Sequence, residues 1–198
     1  MKKRLSAFEI SLAGMFVAMM AVGANITAIA PFMIVGGVPI TLQTFFAILA
    51  GAVLGSRLGT ISMAVYAFVG LAGAPIFARF GGGISTIVSP TFGFIVSFII
   101  VAFVVGKIVE RKQTLSTYII GSLAGLAINY FFGTNWMYFA YKLWAAAPEG
   151  FTYGMAWLWM AAPLPKDIAL TIGAAVFAHR FDRSVLSRSQ LRNHKRTA

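Results

Sequence analysis

The stretch "ISLAGMFVAMMAVGANITAIA" (Ile10–Ala30) contains no charged side chain. About 20 such residues, wound as an α-helix, cross a hydrocarbon core of about 30 Å. Lipid offers no hydrogen bonds to the backbone, so a spanning segment must be a helix or part of a closed barrel. Several more long apolar runs follow this one, which points to helices. The charge count agrees: 16 basic and 5 acidic residues among 198 are too few to cover a water-facing surface. The apolar share of 59% exceeds the roughly 45–50% of soluble domains. The opening "MKKRLSAFEI" has the charge pattern of a signal peptide, but the long apolar run and its successors make it a retained first span.

The pattern predicts an all-α membrane protein, a single integral domain over residues 1–198. Six transmembrane helices are expected near 10–30, 38–56, 60–77, 91–106, 115–135 and 167–180, followed by a cytoplasmic basic tail, 181–198. With both termini cytoplasmic, thirteen of the 16 basic residues share one side, from Lys2, Lys3 and Arg4 through Arg57, Lys107, Arg111 and Lys112 to the tail. Arg79, Lys142 and Lys166 occupy the other. Basic residues favour the cytoplasmic face, so this count predicts a multi-pass protein of the cytoplasmic (inner) membrane. The tail then sits against anionic membrane lipid rather than nucleic acid. "NWMYFAYKLWAAAPEGFTYGMAWLWMAAPLPKD" (Asn135–Asp167) contains all four tryptophans. Aromatic rings gather at the membrane boundary, so 136–166 is expected to form an outward-facing cap of loop and short helices.

Several chemistries are excluded. With no cysteine there is no disulfide or thiolate site. His179 and His194 have no acidic or histidine neighbours at ligand spacing, so no metal site is expected. A phosphate loop needs G-x-x-x-x-G-K-[ST]. The chain's one Gly-Lys pair, Gly106-Lys107, is followed by Ile108 and has Val101 where the first glycine belongs. No catalytic dyad lies within the spans, so neither an enzyme nor a cofactor is expected.

Polar groups in apolar surroundings mark a candidate site. "RFGGGISTIVSPTFGF" (Arg79–Phe94) carries a glycine triplet, Gly81, Gly82 and Gly83, with Ser85, Ser89, Pro90 and Thr91. Non-helical backbone at membrane depth is tolerated where it lines a cavity, so this loop reads as a lid. Lys166 and Asp167 open the last span, and Gln43 interrupts the second. Together these groups ring an apolar hollow suited to a small organic molecule with a polar head. Small residues are also patterned: Gly51, Gly55 and Gly59 recur every fourth position, Gly121 and Gly125 repeat that spacing, and Gly14, Ala18, Ala21 and Asn25 form a stripe on the first span. Such stripes let membrane helices touch. The last would also accept a helix of a partner subunit.

Val38–Phe94 resembles the BioY family, the biotin-specific substrate-binding (S) components of energy-coupling factor (ECF) vitamin transporters. The shared features are VPxTxQ (Val38–Gln43), LAGxxLGxxxG (Leu49–Gly59), GxxGxPxF (Gly70–Phe77), the glycine triplet and a Pro-Thr-x-Gly-aromatic turn (Pro90–Phe94). The family turn commonly reads Gly-Pro-Thr-Gly-Gly-Tyr, where this chain has Ser89-Pro90-Thr91-Phe92-Gly93-Phe94. Its last-helix aspartate is often followed three residues on by lysine, where this chain has Leu170. The resemblance implies a six-helix fold with biotin as transported ligand, and partnership with a coupling transmembrane subunit and an ATPase pair. Gly14, Ala18 and Ala21 would be the docking surface. Substrate contacts would come from Gln43, Arg79, Gly81, Gly82, Gly83, Ser85, Pro90, Thr91, Lys166 and Asp167, with Arg79 or Lys166 meeting the carboxylate. A different small vitamin, or uptake by a solitary transporter without an energising module, are the alternatives.

Overall fold

The computed structural model describes residues 5–28, 34–35 and 38–184. Its α-helices are α1 (Ala7–Ala24), α2 (Gln43–Leu71), α3 (Phe92–Arg111), α4 (Leu115–Leu143), α5 (Tyr153–Ala161) and α6 (Leu164–Ser184). A small antiparallel ribbon, β1 (Ile34–Val35) and β2 (Val38–Pro39), joins α1 to α2. Helix α1 opens with a capping box: the Ser6 hydroxyl accepts from the Glu9 amide, and the Glu9 carboxylate accepts from the Ser6 amide at 2.7 Å. Two orphan donors of the first turn are thereby satisfied.

Helix α2 is two spans rather than one. Gly55 adopts φ 83°, ψ 174°, a region essentially reserved for glycine, and there the chain reverses. A Cβ on Gly59 would stand 2.9 Å from the Ala50 carbonyl oxygen, although nine residues of straight helix separate atoms by about 13 Å. Farther along the same hairpin, the Gln43 side chain bonds that of Tyr66 at 2.8 Å. Residues 43–54 and 56–71 are therefore antiparallel neighbours, and the bundle has six crossings. The second arm begins on a carboxylate borrowed from α3: the Ser56 amide and hydroxyl donate to Glu110 at 2.6 and 3.0 Å. An anion at a helix start is favoured by the local dipole.

Of the glycines predicted to bring helices together, Gly51, Gly59, Gly121 and Gly125 do so, whereas Gly55 makes the reversal and Gly14 meets nothing within 4 Å; Gly106, not singled out from sequence as a packing glycine, is a further close contact. Gly51 packs on the backbone of Ala102, Gly106 on that of Ser56, and Gly125 on Val101 and Val105. Around these contacts lies a core of Ile48, Met63, Tyr66, Val101, Val105 and Tyr118, all fully buried.

All six spans depart from their expected bounds. The first is α1 (Ala7–Ala24) rather than 10–30: the helix gives way to a tighter turn over Asn25–Ala28, where the Asn25 side-chain amide donates to the Ala21 carbonyl at 2.9 Å, and 29–30 lie outside the described residues. The fourth continues to Arg111 rather than 106, and the sixth runs Leu164–Ser184 rather than 167–180, since no proline or glycine interrupts either extension at its inner end. The turn after the second span falls at Gly55, because that glycine alone takes the reversed conformation. The second span starts at Gln43 rather than 38, since β2 occupies the preceding residues. The third ends at Leu71, where the chain enters the glycine and proline run. The fifth continues to Leu143 rather than stopping at 135, because no proline or glycine interrupts "NWMYFAYKL". The expected cap shrinks accordingly to the loop after Leu143 and α5, which meets α6 at a bend of 55°.

Both described ends, at Leu5 and Ser184, lie at one end of the bundle. There Arg57, Lys107, Arg111, Lys112, Arg180 and Arg183 also sit, near the Gly55 turn and the α3–α4 turn. Arg79, Lys142 and Lys166 mark the opposite end, as the charge count anticipated. Lys2, Lys3, Arg4 and the tail beyond Ser184 lie outside the described residues.

Gly55→Ala is expected to destabilise the protein in detergent by about 1–3 kcal/mol, the cost of forcing a side chain into that conformation. Gly14→Ala, where a Cβ meets nothing within 4 Å, should leave the thermal midpoint unchanged. Tryptophan-fluorescence melting of both variants checks the contrast.

Candidate functional site

Because the arm 43–54 is only about 18 Å long at 1.5 Å per residue, it does not fill its column of the bundle. The space beyond its N-terminus is a cavity of about 370 Å³, in the size range of small-molecule sites. Its lining comes from the start of α2, the 78–91 loop, the first turns of α3, the middle of α4, the end of α5 and the start of α6.

The floor is a set of directed hydrogen bonds. Tyr66 Oη donates to the Ile76 carbonyl at 3.0 Å, so it must accept from Gln43 Nε2 at 2.8 Å. This fixes the Gln43 amide and leaves its oxygen without a protein partner among the described residues, although the side chain is only 6% exposed. In a second chain Thr44 Oγ1 donates to Asn129 Oδ1 at 3.1 Å, Asn129 Nδ2 to Ser97 Oγ at 2.7 Å, and Ser97 to the Phe94 carbonyl at 2.7 Å. One Asn129 N–H is left over. Buried polar groups are costly unless paired, so these chains both stabilise the bundle and expose a defined pattern of unused donors and acceptors.

The acidic element is Asp167, which is 8% exposed. Tyr130 Oη donates to its Oδ2 at 2.7 Å, and Lys166 Nζ lies 2.6 Å from Oδ1. Lys166 also donates to the Thr41 carbonyl at 2.8 Å. The carboxylate is thus neutralised where it sits, and the lysine ties α6 to the segment between β2 and α2. Phe77, Phe94, Ile95, Phe98 and Met160 provide the apolar walls.

Of the residues singled out from sequence, Gln43, Gly81, Gly82, Ser85, Thr91 and Asp167 line the cavity. Lys166 stands behind Asp167 rather than in the lining. Arg79 lies exposed on the turn Ala78–Phe80, with φ 61°, and Gly83 and Pro90 support the loop without lining the cavity. The loop is held to α4 by two tryptophans: Trp136 Nε1 donates to the Ser89 carbonyl at 3.1 Å and Trp144 Nε1 to that of Val88 at 2.6 Å. On α1, Gly14 and Ala18 are exposed and Ala21 half-buried, while Glu9, Ala13, Phe16 and Met20 face the bundle.

The sequence pattern of the BioY family matches residues 1–187. The chain belongs to the BioY family. Its multi-pass helical architecture agrees with that of a solved S-component for biotin from an ECF-type ABC transporter: TM-score 0.74, 19% identity, 91% of this chain and 96% of that chain covered. Among curated BioY relatives, BioYB of Bacillus subtilis (strain 168) is 44% identical over 186 residues, 93% of this chain and 92% of its own. The biotin transporter BioY of Thermotoga maritima is 42% identical over 121 residues, 61% of this chain and 69% of its own.

Within this BioY chain the residues that sequence reasoning missed are Thr44, Asn129 and Tyr130. Asn129 carried a usable signal: an amide in the middle of an apolar span is expensive in lipid and demands partners. Lys166→Met strands the buried Asp167 carboxylate and is expected to cost about 3 kcal/mol. The double variant Lys166→Met/Asp167→Asn removes the charge as well and should recover much of that loss. Thermal melting of the three proteins in one detergent gives the comparison, and a double variant weaker than the single would contradict it.

Proposed function

We propose that this protein captures biotin at the outer face of the cytoplasmic membrane as the S component of an ECF-type transporter. A separate coupling membrane subunit and an ATPase pair supply the energy, consistent with a chain that has no nucleotide-binding motif. The exposed Gly14 and Ala18 and half-buried Ala21 offer a shallow face on α1 for the coupling subunit. The basic end of the bundle faces the cytoplasm by the charge rule, which turns the cavity outward.

One observation carries the choice of ligand: the unused Gln43 oxygen and Asn129 N–H, with the lone pairs that Tyr130 and Lys166 leave on Asp167, complement a cyclic urea. Its two N–H donors find acceptors in the Gln43 amide oxygen and the Asp167 carboxylate, and its carbonyl finds the remaining Asn129 N–H. The sulfur-containing ring and the methylene arm lie against Phe77, Phe94, Ile95, Phe98 and Met160. Nanomolar capture corresponds to about −12 kcal/mol, attainable for so compact a ligand when the polar ring is paired in a water-poor pocket.

Purification from a biotin-rich host followed by native mass determination should recover the protein with one bound biotin. Recovery of a different vitamin, or of none after a competition panel, would overturn the assignment. Asp167→Asn is expected to weaken biotin binding at least about tenfold, the loss of one charge-assisted hydrogen bond, as read by calorimetry in detergent.

A further inference from the structure

Among the described residues, two that are not glycine have positive φ, and they are neighbours: Arg79 at 61° and Phe80 at 54°. Left-handed backbone is disfavoured wherever a Cβ is present, and a bulky residue keeps it only when its surroundings hold it there. The chain on either side is fastened to the third span. Phe77 donates to the Gly81 carbonyl at 3.0 Å and Gly83 to that of Gly70 at 2.7 Å, and Gly82 packs on the Ala74 carbonyl with no room for a Cβ. The tip, Ala78–Phe80, is reached from α1 instead. Asn25, the outermost member of the first-span stripe, accepts from the Phe80 amide through Oδ1 at 2.6 Å. Its Nδ2 donates to the Ala21 carbonyl at 2.9 Å, so α1 itself orients the side chain toward the turn.

We infer that Asn25 is a positioning residue for ligand capture: from α1 it holds the strained turn in the form that gives the cavity its loop wall. Ala78 and Gly81, immediately before and after the two left-handed residues, line the cavity, and so does Gly82. Phe80 is 61% exposed and absent from the lining, so the conformation of this turn acts through its backbone neighbours. The assignment rests on the biotin reading above for its affinity measurement, whereas the geometry holds for any occupant. The bond from Phe80 to Asn25 lies at an exposed edge. Water can replace a lost hydrogen bond there, but it does not hold two residues left-handed. Without Asn25 the turn relaxes toward ordinary backbone and carries Ala78 and Gly81 with it. A ligand then selects the fraction of molecules whose wall is in place, and the apparent affinity falls by that fraction. Glycine takes positive φ readily, so Phe80→Gly removes the strain at the residue whose amide Asn25 holds.

The test is biotin titration by calorimetry on the purified full chain, in wild type, Asn25→Ala, Phe80→Gly and the double variant, with hydrogen exchange across residues 77–83 followed in the absence of ligand. Asn25→Ala should weaken biotin binding about five- to tenfold and quicken exchange across the turn. Phe80→Gly alone should bind within about twofold of wild type. The double variant should recover to within about threefold of wild type, a non-additivity that reports direct coupling between the two positions. A residue that merely supported the fold would not be rescued by glycine at an exposed position 55 residues away. Recovery of folded Asn25→Ala only in combination with Phe80→Gly is the same rescue and supports the inference. Asn25→Ala binding like wild type, or a double variant as weak or as poorly folded as Asn25→Ala, would overturn it. If wild type binds no biotin while exchange across 77–83 still quickens in Asn25→Ala, the biotin reading falls and the positioning role stands. Unchanged exchange removes the role, and biotin capture by wild type is then unaffected.

Discussion

A helix that begins inside the bundle organises this protein. Because the chain reverses at Gly55 and the first arm of α2 starts only at Gln43, that helical arm is short, and its opening turn borders the cavity. In lipid such a helix start is tolerable only when its exposed polar groups are answered by protein. Tyr66 answers the Gln43 side chain and Asn129 that of Thr44, and Ser97 on a third span holds Asn129 in place. The same bonds that make the short helix stable also dictate which donors and acceptors face the cavity. Packing and recognition therefore have a common source.

Charge is handled in a similar way. A lone carboxylate at Asp167's depth would be costly, but Lys166 and Tyr130 enclose it, and Lys166 reaches on to the Thr41 carbonyl. One ion pair thus neutralises the cavity and fastens α6 to the segment that delivers α2. At the other end of the bundle Glu110 plays a comparable structural part, seating the second arm of α2 on α3 through Ser56. Each end of the hairpin is pinned by a carboxylate, and only one of them borders the cavity.

Much of this was legible in the linear sequence. Long uncharged runs and the lopsided distribution of lysine and arginine gave six crossings, and spaced glycines marked the close helix contacts at Gly51, Gly59 and Gly125. Gln43 and Asp167 stood out as polar groups in apolar company, and both line the cavity. What escaped notice depended on distant partners. Lys166 looked like a group for the ligand because its bond to Thr41 joins residues 125 positions apart. Asn129 was not singled out, because its partners Thr44 and Ser97 lie 85 and 32 positions away on other helices. The tryptophans signalled a membrane boundary, but their role in holding the Ser89 and Val88 carbonyls follows from the 78–91 loop folding back onto α4, which no local pattern encodes.

The central claim is that a ligand enters this cavity from outside the cell and fills it. The chain has no cysteine, so a single Ser85→Cys substitution reports on the cavity wall without background. Intact cells should show labelling of that thiol by a membrane-impermeant maleimide, and saturating biotin should suppress it strongly. Labelling that requires permeabilised cells, or that proceeds at the same rate with and without biotin, would contradict the account.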